Sequence, residues 1–303
     1  MTWKRTLKRI AVGFAALVAL ALIVGGVQIF RFGQAADATS DIQPLPVVAS
    51  TDSAVLERGR HIVSSIGGCT GCHGPALAGG KPEEIGPIAV MSPPNLTRGR
   101  GGVGGNYTDG ELARAIRHGI GSDGRSLIFM PTPEMNWWPD DDLVAVVSYL
   151  RTVPPVDAST RPTVVLPLGK VLHQFGVMKL LSARMVSDDV PREAAPSPEP
   201  TARYGAFLAR GCAGCHGETF GGGKLPAAPA SLPIPANLTP HATGLGSWTK
   251  EQFVTVLKTG VRPDGRKLDP FMPVVSTRNM SAVEMDALWE YLRTVQPREF
   301  GSR

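Results

Sequence analysis

The chain has 303 residues, enough for about two domains, and a formal net charge of +5. Four positive charges lie among residues 4–9, so most of the excess charge belongs to the amino terminus. The remainder has no basic patch, which argues against nucleic acid as a partner. High glycine and proline contents with few aromatic residues favour compact helical units and long loops over strand-rich sandwiches.

The amino terminus predicts a membrane-spanning helix. Between Arg9 and Arg31 lie 21 uncharged, mostly apolar residues, a length that crosses a bilayer as a helix. The cations before this stretch favour a cytoplasmic tip, so the chain beyond it is exported. A cleaved signal peptide is the alternative, because Ala36-Asp37-Ala38 resembles a cleavage site, although signal cores are shorter. We expect residues 1–33 to be a single anchor in a bacterial inner membrane, with the remainder in the periplasm.

Two segments of the exported chain predict connections. Residues 34–52 are small, polar and proline-containing, which predicts a tether that leaves the orientation of the next domain free. Residues 158–200 predict a linker with an amphipathic helix, whose apolar face comprises Leu168, Val171, Leu172, Phe175, Met178 and Leu181. We expect this helix to pack against the chain's own haem domains, and docking of a partner is the alternative.

A Cys-x-x-Cys-His run occurs twice, at 69–73 and 212–216. Two thiols one helical turn apart match the vinyl groups of a porphyrin edge, and the adjacent imidazole reaches the ring centre as an iron ligand. Redox dithiols or zinc are the alternatives for such pairs, but each run supplies three ligands where a zinc site needs four. We therefore expect two covalently bound haem c groups, attached through Cys69, Cys72, His73, Cys212, Cys215 and His216.

The two runs belong to an internal tandem repeat. Four further segments recur at spacings of 141–143 residues: 95–97 with 237–239, 123–125 with 264–266, 129–131 with 271–273, and 149–153 with 291–295. Residues 53–157 and 201–303 are therefore predicted to be two domains of one fold.

Each copy predicts three helices and no strand. The middle helices are bounded by N-cap threonines and C-terminal glycines: Thr108 and Gly119, and Thr249 and Gly260. The first helices contain glycines where another helix can approach closely: Gly59 and Gly205.

A methionine is the favoured sixth iron ligand in each copy. Met130 lies 57 residues after His73, and Met272 lies 56 residues after His216. Both are flanked by phenylalanine and proline, and the proline restrains the loop that holds the sulfur. His118, at the end of the middle helix, is the rival ligand for the first haem.

Polar residues near the motifs have two open interpretations, contact with haem propionates or packing of loops. They are Asn95, Asn237, Tyr107, Trp248, Arg125 and Arg266. The carbonyl of Pro87 is expected to accept a hydrogen bond from the free ring nitrogen of His73. The corresponding loop of the second copy contains Pro226 and Pro229, and neither is preferred.

Each copy resembles a class I cytochrome c domain, with its haem motif, Gly-Pro loop, Asn-Leu-Thr segment, Met-Pro loop and final Tyr-Leu helix. The exported chain is similar to the membrane-anchored dihaem cytochrome c subunits of bacterial periplasmic dehydrogenases. The resemblance implies an all-α fold of two tandem class I cytochrome c domains after an N-terminal transmembrane helix. It also implies His/Met ligation, one-electron transfer, a dehydrogenase catalytic subunit as donor, and a terminal oxidase or soluble cytochrome as acceptor.

The function expected is a periplasmic dihaem electron relay rather than an enzyme acting on a substrate. An iron with six ligands leaves no open position for a small substrate. The alternative is a dihaem peroxidase-type enzyme, which needs one open or displaceable ligand site. Two equivalent Met-Pro loops argue against that alternative.

Overall fold

A computed structural model describes residues 2–187, 189–225 and 232–303. Its helices are α1 Thr2–Asp37, α2 Ser53–Ser64, α3 Cys69–His73, α4 Asp109–His118, α5 Asp140–Thr152, α6 Pro167–Gln174, α7 Ala202–His216, α8 Lys250–Thr259, α9 Val274–Thr277 and α10 Ala282–Leu292. Its strands are β1 Glu83–Ile85, β2 Ala89–Met91 and β3 Val164–Val165, and 3-10 turns cover Thr132–Glu134 and Ser182–Arg184. The predicted helical class is confirmed, with a small sheet in addition.

Helix α1 is long and apolar enough to cross a membrane, as the sequence predicts. Its most apolar stretch has a mean hydropathy of 2.7 and is not buried by the rest of the chain. The helix continues to Asp37, so it includes residues 34–37 of the segment expected to be a tether.

The rest of this segment runs along the first domain. The Leu45 N–H donates to the Gly110 carbonyl at 3.1 Å, and the Ala49 N–H donates to the Asp109 carboxylate at 2.7 Å. Leu45 and Val47 also pack against the domain core. The expectation of a freely reorienting tether therefore differs from the structure, because its backbone donors and apolar side chains find partners on the first domain.

Each domain is built on a close crossing of its first and last helices, α2 with α5 and α7 with α10. A Cβ atom on Gly59 would overlap the backbone carbonyl of Ala145, and one on Gly205 would overlap that of Ala287. The predicted role of these glycines is confirmed. The buried side chains around the crossings include Ile62, Leu143, Val146 and Leu150 in the first domain, and Tyr204, Leu208, Met285 and Leu288 in the second.

The middle helices α4 and α8 begin and end as predicted. Thr108 forms a capping box with Glu111, and Thr249 begins α8 in the same way. Gly119 and Gly260 end the two helices with left-handed backbones at φ 65° and 71°.

The prediction that neither copy contains a strand is wrong for the first copy. Strands β1, β2 and β3 form an antiparallel sheet in that order. Strand β3 comes from the linker, so it adds residues 164–165 to the hairpin of the first domain. Strands of two or three residues are too short to show a periodic pattern.

The linker helix α6 packs against the chain itself, as expected, but part of its contact is with α1. Gly169 lies against the Ile88 carbonyl, where a Cβ would overlap. On the α1 side, the His173 ring meets the Phe32 ring edge-on with centroids 5.2 Å apart, and the Lys170 ammonium lies 6.0 Å from the same centroid. The linker therefore joins the membrane-spanning helix to the first domain.

Candidate haem-binding sites

Both Cys-x-x-Cys-His runs occupy the last turn of a helix, α3 in the first domain and α7 in the second. Gly74 and Gly217 follow the histidines with φ 78° and 84°, which ends each helix. Leu77 and Phe220, each four residues after the histidine, have left-handed backbones at φ 54° and 59°. Bulky residues rarely adopt this conformation, so burial of both side chains holds a tight return of the chain below each motif.

The two motif histidines are buried and held by backbone carbonyls. His73 Nδ1 lies 2.8 Å from the Pro94 carbonyl oxygen, and His216 Nδ1 lies 2.7 Å from that of Ala236. Burial lowers the pKa of each imidazole, which favours the neutral ring. In that ring Nδ1–H donates to the carbonyl, and Nε2 keeps a lone pair suited to iron.

The expected acceptor for His73, the Pro87 carbonyl, is wrong. Residues 85–88 close the β1–β2 hairpin through a hydrogen bond from Ile88 N–H to the Ile85 carbonyl, and the chain after β2 brings Pro94 to the imidazole. A signal was present in the repeat, because positions 94 and 236 correspond. Pro226 and Pro229 of the second copy lie outside the described residues.

The first cysteine of each motif is enclosed by its own domain. Burial raises the pKa of Cys69 and Cys212 to about 12, and it also raises the pKa of the more exposed Cys72 and Cys215. These thiols are neutral at physiological pH. Neutral thiols beside an apolar core suit thioether attachment to a porphyrin better than thiolate coordination of a metal.

Met130 and Met272 pack against the same cores as the first cysteines of their motifs. Phe129, directly before Met130, has a left-handed backbone at φ 64°. A turn follows each methionine, with the Thr132 N–H bonded to the Met130 carbonyl at 2.8 Å in the first domain. His118, the rival ligand, is buried at the end of α4.

The two conserved-looking asparagines of the repeat act in loop packing. The Asn95 amide donates to the carbonyls of Val156 and Ala158 at 2.8 and 3.1 Å, and the Asn237 amide donates to that of Arg298 at 2.7 Å. Each asparagine thereby ties the segment beside the motif histidine to the chain after the last helix. This supports the loop-packing interpretation of both residues.

The remaining candidates for propionate contact also have protein partners. Arg125 and Arg266 form ion pairs with the aspartates of their own turns, Asp123 and Asp264. Tyr107 and Trp248 are partly buried against the cores of their domains. The geometry therefore favours packing for these residues as well.

Each domain places the turn after its methionine against the motif of the other domain. In the first motif, a Cβ on Gly71 would lie 3.8 Å from Ser276 Oγ. In the second, a Cβ on Gly214 would overlap the Glu134 carboxylate. Ser276 and Glu134 occupy corresponding positions of the repeat, 142 residues apart. The same contact is thus made twice, and both haem motifs border one interface between the domains.

A buried ion pair also crosses this interface. His61 Nε2 of α2 lies 2.8 Å from both carboxylate oxygens of Glu284 in α10, and Glu284 is 2% exposed. Burial alone would raise the pKa of Glu284, but hydrogen bonds from His61 and the Ser281 N–H bring that pKa below its ordinary value. Sequence reasoning missed this pair, because its members belong to different domains.

A carboxyl group and an aromatic cluster complete the interface. Burial, with the nearby Glu218 carboxylate, raises the pKa of Glu134 to about 7. Trp137 of the first domain meets the Phe207 ring edge-on at 5.2 Å and the Arg210 guanidinium at 4.1 Å. The interface therefore combines apolar packing with two buried acidic side chains.

Comparison with known proteins gives a family. A family model described as Cytochrome c matches residues 56–154 and 204–296. The chain is 27% identical to an alcohol dehydrogenase (quinone) cytochrome c subunit of Gluconacetobacter polyoxogenes, over 81% of this chain and 57% of the relative. It is 28% identical to a fructose dehydrogenase cytochrome subunit of Gluconobacter japonicus, over 82% and 54%. Thus the chain spans about half the length of these curated relatives.

A shorter match is to a gluconate 2-dehydrogenase cytochrome c subunit of Pantoea cypripedii, 32% identical over 38% of this chain and 26% of the relative. The matched family, the two Cys-x-x-Cys-His runs and the neutral imidazoles with free Nε2 atoms agree with one another. The chain carries two covalently bound haem c groups, one in each domain, and it belongs to the cytochrome c family.

Proposed function

We propose that this chain relays single electrons from the catalytic subunit of a dehydrogenase to a terminal oxidase or soluble cytochrome. Bound haem supplies the chemistry, because its iron alternates between ferric and ferrous states. Three relatives are named as cytochrome subunits of alcohol, fructose and gluconate dehydrogenases, which supports a dehydrogenase as the donor. The resemblance to respiratory cytochromes supports the class of acceptor.

His73 and Met130 are the proposed ligands of the first iron, and His216 and Met272 those of the second. The carbonyl bonds to both Nδ1 atoms leave the Nε2 atoms for iron, which supports the two histidines. The packing of each methionine beside the first cysteine of its motif supports the two thioethers. Such a ligand set leaves no open position and favours electron transfer over substrate chemistry.

One observation gives the strongest support to a two-haem relay. Both haem-attachment turns border the same domain interface, through the Gly71–Ser276 and Gly214–Glu134 contacts. Because each haem is bonded to its attachment turn at one edge, this arrangement brings the attached edges of the two groups to a common boundary. The His61–Glu284 ion pair and the Trp137–Phe207 contact hold that boundary together.

The proposed location is the periplasmic face of a bacterial inner membrane, with α1 as the single anchor. Cations at the start of α1 favour a cytoplasmic amino terminus, which places both haem domains on the other side. The length and hydropathy of α1 support the anchor.

The test is purification of the intact chain with its haems from detergent-solubilised membranes, followed by identification of the subunits that accompany it. We expect a dehydrogenase catalytic subunit whose substrate reduces both haems. A preparation without such a subunit, in which one ferric haem is high-spin and peroxide is rapidly consumed, would contradict the relay and support a peroxidase-type enzyme. Cys212→Ser/Cys215→Ser provides the control, because it removes one haem and should interrupt the path.

A further inference from the structure

A segment of the first domain lies beside the periplasmic end of the anchor. The 21 residues between Arg9 and Arg31 form about 30 Å of helix, the thickness of the hydrocarbon core, so Arg31 falls at its boundary. Phe32 follows directly and packs against His173 and Lys170. We call residues 164–184, which comprise β3, α6 and the second 3-10 turn, the foot. The foot is therefore held at the level of the lipid headgroups.

The foot exposes apolar side chains at this level. Leu168, Phe175 and Val177 are 44%, 59% and 44% exposed. Phe30, in the last turns of the anchor, is exposed as well. These side chains adjoin a helix whose own apolar surface is covered by lipid in a membrane, and a leaflet around α1 would cover them in the same way.

The foot is also basic. Residues 158–187 contain no aspartate or glutamate, and their four lysines and arginines are Arg161, Lys170, Lys179 and Arg184. At the junction with the anchor is an open hollow lined by Arg31, Gln34, Ala35, Ala38, Gln174 and Arg184. Two guanidinium groups with two amides form a donor set suited to a phosphate.

We propose that the foot lies on the periplasmic leaflet and binds an anionic phospholipid, with its phosphate between Arg31 and Arg184 and with Phe175 and Val177 in the acyl boundary. This inference rests on the proposed anchoring of α1. Basic side chains beside a membrane span attract anionic lipid, and the exposed apolar groups give the leaflet a surface to cover.

The foot connects the membrane to the first haem site. The Phe129 N–H donates to the Leu180 carbonyl at 3.1 Å, and the Ser182 N–H donates to the Leu127 carbonyl at 2.9 Å. The loop that presents Met130 is therefore hydrogen-bonded to the foot. Together with the Asp37–Arg125 ion pair at 3.5 Å, these bonds fix the first domain against the membrane rather than leaving it on a mobile tether.

The test is photo-crosslinking of the full chain with its haems in lipid nanodiscs. Discs of otherwise equal composition carry a diazirine-labelled phosphatidylglycerol or phosphatidylcholine, and labelled peptic peptides are identified by mass spectrometry. We expect label on α1 from both lipids, and label on the foot at least about fivefold higher from the anionic lipid, the effect of a single cation near an anionic surface.

Two variants and one control separate the contributions. Lys179→Gln/Arg184→Gln should bring the two lipids to equal labelling of the foot, whereas Lys258→Gln/Lys267→Gln, exposed lysines of the second domain, should leave the preference intact. Phe175→Asp should reduce foot labelling from both lipids. Label on α1 without label on the foot overturns the proposal, and equal labelling in the unmodified chain overturns its anionic specificity. Absence of label on α1 would instead contradict the anchor on which the proposal depends.

Discussion

The two iron sites hold their histidines with the same kind of bond, from Nδ1–H to a backbone carbonyl. Because the carbonyls belong to corresponding positions, Pro94 and Ala236, the imidazoles are oriented alike in both domains. The surroundings of the motifs are less alike, since Gly214 meets the carboxylate of Glu134 while Gly71 meets the hydroxyl of Ser276. A difference in electrostatics between the haems therefore arises at the domain interface.

Glu134 makes the second site sensitive to pH. Its pKa is raised from 4.5 to about 7 by burial and by Glu218, so the folded chain holds a proton that the unfolded chain has released. Stability therefore falls as pH rises from about 4.5 to 7, by up to about 3 kcal/mol in total. We expect Glu134→Gln to flatten this dependence, measured as the free energy of unfolding across that range.

The same titration should appear in a redox experiment. An ionised Glu134 favours the ferric state of the second haem, so that haem's reduction potential should fall as pH rises through about 7. Glu134→Gln should remove the fall. Glu218→Gln is the control, since it should move the transition to lower pH without abolishing it. An unchanged slope in Glu134→Gln would show that another group titrates.

The proposed ligand Met272 is tested by truncation. Met272→Ala should keep the covalently attached haem, lower its potential and leave the iron high-spin, because loss of the thioether opens the sixth position. Met280→Leu is the matched control, as Met280 is a buried core methionine of the same domain. A titration with optical spectra measures both effects, and two unchanged potentials would exclude Met272 as the ligand.

At the scale of elements, the helix crossings determine where the motifs stand. Helix α7 contributes both Gly205, which contacts α10, and the second haem motif, so the crossing positions the motif directly. In the first domain, α2 makes the equivalent crossing through Gly59, and a short loop separates it from α3. An altered crossing should therefore affect domain stability before it affects haem attachment.

Two substitutions in α7 test the crossing. Gly205→Ala forces its Cβ into the Ala287 carbonyl and should destabilise the second domain by about 1–3 kcal/mol. Gly211→Ala is the matched control, because its Cβ meets nothing within 4 Å, and it should stabilise the helix by up to about 1 kcal/mol. Thermal unfolding of the full chain measures the two shifts, and equal shifts would contradict the role of the crossing.

Features with local rules were predictable from the sequence. Capping threonines, terminal glycines and the repeat predicted α4 and α8, and the glycines of α2 and α7 predicted the crossings. Strands β1 to β3 escaped detection because they are two or three residues long and one comes from the linker. The acceptor for His73 was missed because it depends on how the chain returns after a hairpin, a non-local property.

At the scale of the whole molecule, contacts between repeats were beyond sequence reasoning. His61 has no histidine counterpart in the second copy, and it was expected to be a surface or packing residue. Its partner Glu284 was recognised only as part of a capping box, which is also present. The tandem repeat predicts that two equal domains exist, but the pairing of their surfaces depends on residues that differ between the copies.

The last prediction concerns this pairing. His61→Ala leaves the Glu284 carboxylate buried without its main cationic partner, which should destabilise the domain interface by about 3 kcal/mol. Such a loss raises the population of separated domains about 100-fold and should slow electron equilibration between the haems, while each haem keeps its spectrum. Rapid photoreduction of one haem measures that equilibration.

Arg60→Ala is the control on the same helix, because Arg60 pairs with Glu57 on the exposed surface of its own domain. It should leave the equilibration rate unchanged, since exposed ion pairs contribute little to stability. The remedy for His61→Ala is Glu284→Gln in the same chain, which removes the uncompensated charge and should restore part of the rate. Equal rates in the unmodified chain and both single variants would mean that the His61–Glu284 pair does not hold the two haem domains together.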